Sequence, residues 1–321
     1  MSGRNGSNGV GVLYIGGVGR SGSTLLDLML GEIPGLFAVG ELKYIWERGL
    51  RQNQLCGCGE PFRDCPFWQQ VGREAFGGWE TIDLDAMLEL ERYVDSHRRL
   101  LYLVFPRLSR RFRSKLAEYA EVLERLYAAV ATTSGSEVVV DSTKRPGYGF
   151  VLRRSPGIDL RVVHLVRDSR GVAFSWAKRV ARPEVHDRVE YMPSYSPFWA
   201  GTRWLTTNAL FHLLRACGAK GPRLTYEGLM RTPHASLERI AREALGHESA
   251  AVRVPGDAEW VAGPNHSVAG NPLRLKSKEI TLRPDEEWRT KMTGRQRLVI
   301  VLLTWPLLLR YGYLSRPHGQ R

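Results

Sequence analysis

The chain alternates between short apolar runs and longer stretches in which apolar residues recur at helical spacing. The apolar runs, several of them rich in β-branched residues, predict strands that are buried on both faces of a sheet. They are Val10–Ile15, the shorter extended segment Phe37–Leu42, Glu137–Asp141, Leu160–Val166 and Arg223–Tyr226. Because helical stretches separate them, the pattern predicts an α/β fold with a parallel sheet flanked by helices. Ligands of such sheets bind at the carboxyl ends of the strands.

The predicted helices are Leu25–Leu30, Leu42–Leu50, Pro66–Phe76, Asp83–Leu101, Ser114–Val130, Arg167–Val180, Phe198–Cys217, Pro233–Leu245, Asp285–Met292 and Gly294–Tyr311. Those between residues 42 and 135 form a block that we interpret as a helical insertion capping the sheet. We expect one domain over residues 11–315, with tails at 1–10 and 316–321. The first tail is polar and glycine-rich, so we expect it to be disordered. It lacks the pattern of a secretory signal, which predicts a cytoplasmic protein.

A glycine-rich turn joins the first predicted strand to the first helix. Gly17, Gly22 and Thr24 fit the Gly-x-x-x-x-Gly-Lys-[Ser/Thr] loop that binds phosphates in nucleotide hydrolases. Ser23, however, occupies the lysine position, so the loop suits a ligand with less charge at its 5′ end. Backbone N–H groups, the helix dipole and the Arg20 cation would together form an anion-binding cradle. The alternative is a tight strand–helix turn that binds no ligand.

The formal net charge of the chain is +13, spread along its length with no long basic run. Such an excess fits nucleic acid, a membrane surface or small anionic ligands; since no nucleic-acid-binding motif accompanies it, we predict no nucleic-acid partner. The longest apolar stretch, Leu298–Leu309, contains Pro306 and is too short to span a bilayer. It predicts a buried C-terminal helix. A peripheral membrane contact stays open, because Arg295, Arg297 and Arg310 flank the stretch.

Three of the four cysteines, Cys56, Cys58 and Cys65, lie within one short segment, and the fourth is Cys217. Three thiols with no histidine close by in the sequence fall short of the four ligands that structural zinc usually has. We therefore expect packed free thiols and no metal, with a local disulfide and a metal site as the alternatives.

Three segments that follow predicted strands are rich in hydroxyl and cationic side chains. They are Gly16–Thr24, Asp141–Pro146 and Arg167–Ser175. Since the carboxyl ends of parallel strands meet at one edge of a sheet, we expect these segments to converge. A site lined in this way would bind a ligand with several anionic groups.

Four segments resemble those of sulfotransferases that use 3′-phosphoadenosine 5′-phosphosulfate as donor. In chain order they are Val18–Leu26, Leu165–Ser175, Leu224–Leu229 with the helix that ends before Gly246, and Asn265–Arg274. The resemblance spans about residues 11–313. It implies a P-loop-containing NTPase-like fold and in-line transfer of a sulfuryl group to a hydroxyl, with an amine as the second choice of acceptor.

The resemblance also implies which residues bind the donor. In that family the first segment binds the 5′-phosphosulfate, and an arginine and a serine eight residues later, here Arg167 and Ser175, bind the 3′-phosphate. The last segment is a further donor-binding loop. The residues implied are Gly19, Arg20, Ser21, Gly22, Ser23, Thr24, Leu25, Arg167, Ser175, Ser267, Asn271 and Arg274.

For catalysis the resemblance favours an acidic base. Cytosolic members of the family use a histidine after the second strand, but Ser142–Pro146 contains none. The Gly-Glu pair that ends at Glu41 instead resembles the acid of tyrosylprotein sulfotransferases and of related Golgi and bacterial enzymes. The resemblance thus implies Glu41 as base, with Lys144 and Arg20 stabilising the leaving group. The alternatives are a helix-opening role for Glu41, a surface position for Lys144, and His266 as base.

We expect a small metabolite, a glycan or a lipid as acceptor, and no metal ion in the transfer. The helical block and an aromatic loop are the candidates for the acceptor pocket, the aromatic residues being Tyr191, Tyr195, Phe198, Trp199 and Trp204. Two other functions stay open. One is a P-loop kinase or NTPase whose metal-binding strand would be Val138–Asp141, and the other is a nucleotide-binding relative without catalysis.

Overall fold

The computed structural model of the chain describes residues 9–96, 99–185, 189–246, 259–260, 263–275 and 280–314. Its centre is a five-stranded sheet in which all paired strands are parallel, in the order β2-β3-β1-β4-β5. The strands are β1 (Val10–Gly17), β2 (Leu36–Ala38), β3 (Val138–Lys144), β4 (Ile158–Val166) and β5 (Arg223–Thr225). The predicted parallel α/β sheet is thus confirmed.

The α-helices are α1 (Ser23–Gly31), α2 (Pro66–Phe76), α3 (Leu84–Val94), α4 (Leu100–Val104), α5 (Arg110–Ser134), α6 (Pro146–Arg153), α7 (Ser169–Ala177), α8 (Pro197–Ala216), α9 (Tyr226–Arg231), α10 (Pro233–Leu245), α11 (Trp288–Lys291) and α12 (Gly294–Arg310). A separate antiparallel pair consists of β6 (Glu259–Trp260) and β7 (Ile280–Thr281). Of the predicted tails, residues 1–8 and 316–321 lie outside the described residues, as does Ser315 of the predicted domain, and Val10 belongs to β1.

Alternate residues of β1 pack into separate cores on the two faces of the sheet. Val12 and Tyr14 are buried in the core that also contains residues of the block between β2 and β3. Leu13 and Ile15 are buried in the core formed with α1 and α10. This arrangement accounts for the continuous apolar run in the sequence, because a strand covered on both faces has no polar face. It also keeps the carboxyl end of β1 rigid where the glycine-rich turn begins.

The chain between β2 and β3 contains 3₁₀-, π- and α-helices joined by irregular segments, and two helix predictions within it were wrong in detail. Residues Leu42–Ile45 form a 3₁₀-helix and Trp46–Arg51 a π-helix, where an α-helix was expected. Each piece is little more than one turn long, which is too short for the apolar spacing to separate the three helix types.

The predicted helix Asp83–Leu101 is interrupted, because α3 ends at Val94 and α4 begins at Leu100. Asp95 ends α3 with a backbone ψ of 53°. Its buried carboxylate lies 3.4 Å from the Lys43 ammonium and 3.2 Å from Arg145 Nε. Both partners are distant from Asp95 in the sequence, so the apolar periodicity of the segment could not predict the break in the helix.

Helix α12 is only half buried, where a buried C-terminal helix was predicted. Ile300, Thr304 and Leu308 face the protein and pack near α7 and α8. The opposite side carries apolar residues that are each more than half exposed, namely Leu298, Leu302, Trp305 and Leu309. None of the helices in the described ranges is both long and apolar enough to cross a bilayer.

Candidate donor-binding and transfer site

The carboxyl edge of the sheet opens into a cavity of about 450 Å³. Its walls come from the turn after β1, the turn after β3, α7 and the helical block. The lining includes Gly17, Val18, Gly19, Arg20, Ser23, Thr24, Glu41, Thr143, Lys144, Arg145, Trp176 and Asn271. The segments predicted to follow β1 and β3 therefore converge, as the parallel topology requires.

In the turn after β1, Arg20 has hydrogen-bond donors that no described residue fills. Its backbone has a φ of +75°, a left-handed conformation that is uncommon for a residue with a side chain. Its Nε and one terminal nitrogen are buried and have no hydrogen-bond partner among the described residues, and the same holds for the hydroxyl of Ser21. Burial lowers the pKa of Arg20 from its ordinary value. A buried cation with open donors is stabilised by an anionic ligand.

Trp176 holds the same turn in place, although it was not among the predicted site residues. Its indole N–H donates to the Gly19 carbonyl at 3.1 Å. The Arg20 guanidinium lies 5.1 Å from the centre of the Trp176 ring, within cation–π range. Trp176 directly follows Ser175, which lies half-buried on α7. Its position one residue after a predicted phosphate-binding serine was the only signal in the sequence.

Arg167 links the second predicted segment to the first. One terminal nitrogen of its guanidinium donates to the Arg20 carbonyl at 3.0 Å, and the other donates to the Asp285 carbonyl at 2.9 Å. The Asp285 carboxylate lies 3.2 Å from Arg167. Although burial opposes it, the charges of Arg167 and Lys178 lower the pKa of Asp285. The two arginines predicted to bind opposite ends of one ligand are thus neighbours, and Asp285 is the present anion partner of Arg167.

Glu41 and Lys144 meet at the floor of the cavity. The Lys144 ammonium donates to Glu41 Oε1 at 2.6 Å and to the Ser142 carbonyl at 2.7 Å. Both side chains are only 12% exposed, so the pair is largely shielded from solvent. The surface position considered for Lys144 is therefore wrong.

Gly40 sets the direction of Glu41. Its φ is +72°, and a Cβ there would lie 2.8 Å from both the Ala269 carbonyl oxygen and the Ser267 Cβ. Only glycine fits this close approach. The Glu41 N–H then donates to the Ala269 carbonyl at 3.3 Å, which ties the candidate base to the loop of residues 263–275.

That loop brings the remaining predicted donor-binding residues to different places. Asn271 lines the cavity, and its N–H donates to the Thr24 hydroxyl at 3.4 Å. Ser267 is fully buried with a hydroxyl that has no partner in the described part of the chain. Arg274 is buried behind the loop and donates to the carbonyls of Ser267 and Leu55, each at 2.8 Å. Its position indicates that it holds the loop in shape. Leu25 packs in the core and can offer only its backbone.

Two buried carboxyl groups lie beneath the site. Burial raises the pKa of Asp141 to about 6 and that of Asp27 to about 8. One oxygen of Asp141 accepts from the Thr143 N–H at 2.7 Å, and the other accepts from the Tyr127 hydroxyl. Since Asp141 is fully buried and both its oxygens are engaged, it does not present a ligand to a metal ion in the cavity.

The aromatic residues expected around an acceptor divide among the cavity, the core and the exposed surface. Tyr195 lines the cavity, as does Tyr44 from the helical block. Trp204 is fully buried, and its indole N–H donates to the Arg167 carbonyl at 2.9 Å, so it is a core residue. Phe198 and Trp199 are exposed.

His266, the alternative base, is turned toward the cysteine segment. Its Nδ1 lies 3.3 Å from the Cys65 sulfur and 3.8 Å from the Cys56 sulfur.

Comparison with known proteins gives structural neighbours only. No protein-family model matches the chain, and no curated protein matches it in sequence. The sulfotransferase domain of the Synechococcus PCC 7002 olefin synthase is 19% identical, with a TM-score of 0.50, and the match covers 95% of this chain and 96% of that one. A sulfotransferase domain from the curacin biosynthetic pathway is 16% identical, with a TM-score of 0.44, and the match covers 92% and 97% of the two chains. A sulfotransferase from Mycobacterium avium is 14% identical, with a TM-score of 0.42 and coverage of 76% and 65%. The first of these likenesses shows that the chain has the sulfotransferase-domain fold, which belongs to the P-loop NTPase-like class.

Proposed function

We propose that the protein is a sulfotransferase that moves a sulfuryl group from 3′-phosphoadenosine 5′-phosphosulfate to a hydroxyl group, or as second choice an amine, of a small metabolite, glycan or lipid. One observation supports this most directly: a single cavity is lined by Arg20, which has open donors, and by the Glu41–Lys144 pair. A cation that awaits an anion and a carboxylate that can accept a proton are the two groups that sulfuryl transfer needs side by side.

The donor would lie across the carboxyl edge of the sheet. The turn after β1 offers its backbone N–H groups and Arg20 to the 5′-phosphosulfate. Arg167 and Ser175 would bind the 3′-phosphate. The phosphate would then replace the Asp285 carboxylate as the anion that pairs with Arg167. The buried hydroxyl of Ser267 and the side chain of Asn271 would complete the donor contacts.

In the transfer, the acceptor oxygen attacks sulfur and forms the new S–O bond, while the bond from sulfur to the 5′-phosphate oxygen breaks. Glu41 accepts the proton of the acceptor hydroxyl. Lys144 and Arg20 stabilise the negative charge that collects on the departing phosphate oxygen. Because Lys144 already lies 2.6 Å from Glu41, one reaction centre can contact both groups.

The far wall of the cavity suits an organic acceptor. Tyr44, Leu100, Tyr195 and Leu210 bring aromatic and aliphatic surface to it. A volume of about 450 Å³ lies in the usual range for pockets that hold small molecules. The proposal includes a lipid acceptor and a peripheral membrane contact, because one side of α12 is apolar and exposed.

We place the reaction in the cytoplasm. None of the four cysteines forms a disulfide in the structure. Thiols persist in reducing compartments, whereas secreted proteins of this size commonly oxidise such neighbours.

The kinase or NTPase alternative lacks two of its requirements. Ser23 stands where a triphosphate-binding loop has lysine. Asp141, which would hold the magnesium ion, has both carboxylate oxygens engaged within the protein.

Titration calorimetry with 3′,5′-adenosine bisphosphate and with ATP–Mg²⁺ tests the donor class. We expect micromolar binding of the bisphosphate and much weaker binding of ATP–Mg²⁺; the reverse order would overturn the proposal in favour of a kinase. The sulfate donor is then incubated with the protein and a mixture of phenols, sugars and lipids, and its loss is followed by mass spectrometry. Bisphosphate binding without donor consumption under any acceptor would show a nucleotide-binding protein that lacks catalysis.

A further inference from the structure

The three clustered thiols acquire a fourth partner from the far end of the chain. The sulfur atoms of Cys56, Cys58 and Cys65 and a ring nitrogen of His266 all lie within 4.8 Å of one another. The Cys58 and Cys65 sulfurs are 3.7 Å apart. The His266 Nδ1 is 3.3 Å from the Cys65 sulfur and 3.8 Å from the Cys56 sulfur. The proposed transfer reaction uses none of these groups.

These separations are those of ligands around one tetrahedral ion. With Zn–S bonds of about 2.3 Å and Zn–N bonds near 2.0 Å, the edges of a regular tetrahedron are about 3.8 Å between sulfurs and about 3.5 Å from sulfur to nitrogen. The three separations given above differ from these values by a few tenths of an ångström at most, and the other three are no longer than 4.8 Å. A disulfide would employ only two of these atoms, whereas one tetrahedral ion accounts for the convergence of all four.

The cysteine segment is folded so that its thiols point to one place. A bridge between Leu55 and Pro61 closes a short hairpin, within which the Cys56 N–H donates to the Glu60 carbonyl at 2.8 Å. Cys65 then precedes the first residue of α2. The hairpin and the start of the helix thus hold the three sulfur atoms close together.

The histidine is positioned as firmly as the thiols. Its ring stacks on Phe67, with ring centres 4.8 Å apart and an angle of 16° between the planes. Its carbonyl accepts from the Trp68 indole N–H at 2.9 Å. The stacking fixes the orientation of the ring, and the hydrogen bond fixes the backbone that carries it. In metal sites, residues around the ligands hold the ligands in a similar way.

The backbone of the cysteine segment also lies close to the backbone of the loop of residues 263–275, which leaves little room for a side chain between them. The Gly57 N–H donates to the Ser267 carbonyl at 3.0 Å. A Cβ on Gly57 would lie 2.9 Å from the Asn265 carbonyl oxygen as well as 1.8 Å from its side-chain oxygen, so glycine is favoured between the cysteines.

We propose that Cys56, Cys58, Cys65 and His266 bind one structural zinc ion. Four protein ligands leave no open position for water or substrate, as in structural rather than catalytic zinc sites. The ion would fasten the cysteine segment to the loop that carries Ser267 and Asn271, and so support the donor side of the cavity from behind. This proposal stands on the ligand geometry and does not depend on the sulfuryl-transfer proposal.

Elemental analysis of the full-length protein tests it directly. The protein is purified without metal-affinity resin, under reducing conditions, and its zinc content is measured by plasma mass spectrometry. We expect about one zinc ion per chain, as for a single closed site. Cys65→Ser and His266→Ala should each lose most of the zinc. Cys217→Ser is the matched control, because Cys217 lies outside the cluster, and it should keep the full amount.

Cobalt substitution keeps the test valid where a variant fails to fold. Wild-type protein stripped of zinc and loaded with Co²⁺ should show the d–d bands of a tetrahedral ion and intense thiolate-to-cobalt charge-transfer absorption. Cys58→Ser, which alters the most exposed ligand, should weaken the charge-transfer band while the circular dichroism stays native.

Two results would overturn the zinc site. One is metal-free protein that melts at the same temperature with and without added Zn²⁺. The other is a Cys58–Cys65 disulfide, found by peptide mass mapping in protein that was alkylated at lysis. Both readouts concern metal and thiols, so neither result would bear on sulfuryl transfer.

Discussion

The Lys144 ammonium lies 2.6 Å from the Glu41 carboxylate, and Lys144 has a backbone φ of +67°. A left-handed conformation of this kind costs of the order of 1 kcal/mol or more and persists only where the surroundings impose it. Here the strain falls on the last residue of β3, and the lysine is also held by the Ser142 carbonyl. Strain that brings a cation to a carboxylate inside a cavity is typical of a reaction site.

Glu41→Gln tests the assignment of the base. Glutamine preserves the size of the side chain and a carbonyl oxygen for Lys144, but it cannot accept a proton at neutral pH. We therefore expect turnover of the sulfate donor to fall about 10²- to 10⁴-fold, the usual contribution of a general base. Binding of 3′,5′-adenosine bisphosphate should change by no more than a few-fold. Single-turnover mass spectrometry and calorimetry provide the two measurements.

Glu89→Gln is the matched control for that experiment, since Glu89 is exposed on α3 and does not line the cavity. It should leave both quantities unchanged. Full turnover by Glu41→Gln would remove Glu41 from the mechanism.

Asp285→Asn tests whether Arg167 is an anion site. The Asp285 carboxylate lies 3.2 Å from Arg167 and 3.6 Å from Lys178, so it competes with any incoming phosphate. Asparagine removes the charge but keeps the backbone carbonyl that Arg167 also uses. We expect the bisphosphate to bind about two- to five-fold more tightly at low salt, in line with a partly exposed ion pair. The effect should shrink as salt is added.

Glu286→Gln provides the comparison, because it makes the same change in net charge one residue away and Glu286 pairs with Arg289 instead. Affinity for adenosine 5′-monophosphate, which has no 3′-phosphate, should be nearly the same in both variants. Weaker bisphosphate binding by Asp285→Asn would argue that the carboxylate positions Arg167 for some other purpose.

Much of this site could be predicted from sequence because its parts are local. The run from β1 through the glycine-rich turn into α1 is contiguous, so pattern and turn residues together define it. The proximity of Arg167 to Arg20 follows from strand alternation, because neighbouring parallel strands deliver their following turns to one edge.

The rest depends on contacts between residues that are distant in the chain. His266 reaches Cys65 across 201 positions, and nothing in the spacing of the cysteines indicates it. Asp95 breaks a helix whose apolar spacing is continuous, since its partners Lys43 and Arg145 belong to other segments. Trp204 sits in an aromatic segment that resembles a pocket wall, yet it is a core residue.

Asp27 should make stability depend on pH. Burial raises its pKa to about 8 in the folded protein, against about 3.9 for an unfolded aspartate. Between about pH 4 and pH 8, Asp27 carries a proton in the folded chain but not in the unfolded chain. The stabilisation that comes from this proton is complete below about pH 4 and is lost as the pH rises through 8. Relative to Asp27→Asn, the wild type should lose up to about 1.4 kcal/mol of unfolding free energy per pH unit in that window.

Urea titrations of the wild type and of Asp27→Asn at intervals from pH 5 to 9 measure the difference between their free energies of unfolding. Contributions that the two proteins share cancel in this difference. Asp159→Asn, at a carboxylate that reaches solvent, is the control. A difference between wild type and Asp27→Asn that does not vary with pH would mean that Asp27 is ionised in the folded state throughout.

The exposed side of α12 predicts binding to anionic membranes. Leu302 and Trp305 lie at the centre of its apolar stripe, and the exposed Arg295 and Arg310 stand at the two ends of the helix. Apolar side chains that enter the interface, flanked by cations near acidic headgroups, are the pattern of a helix lying on a membrane. We expect the protein to sediment with vesicles containing phosphatidylserine, and less so in high salt. Leu302→Gln combined with Trp305→Gln should abolish sedimentation, whereas Leu101→Gln, at an equally exposed leucine on α4, should not. Equal sedimentation of all three proteins would show that the stripe does not contact lipid.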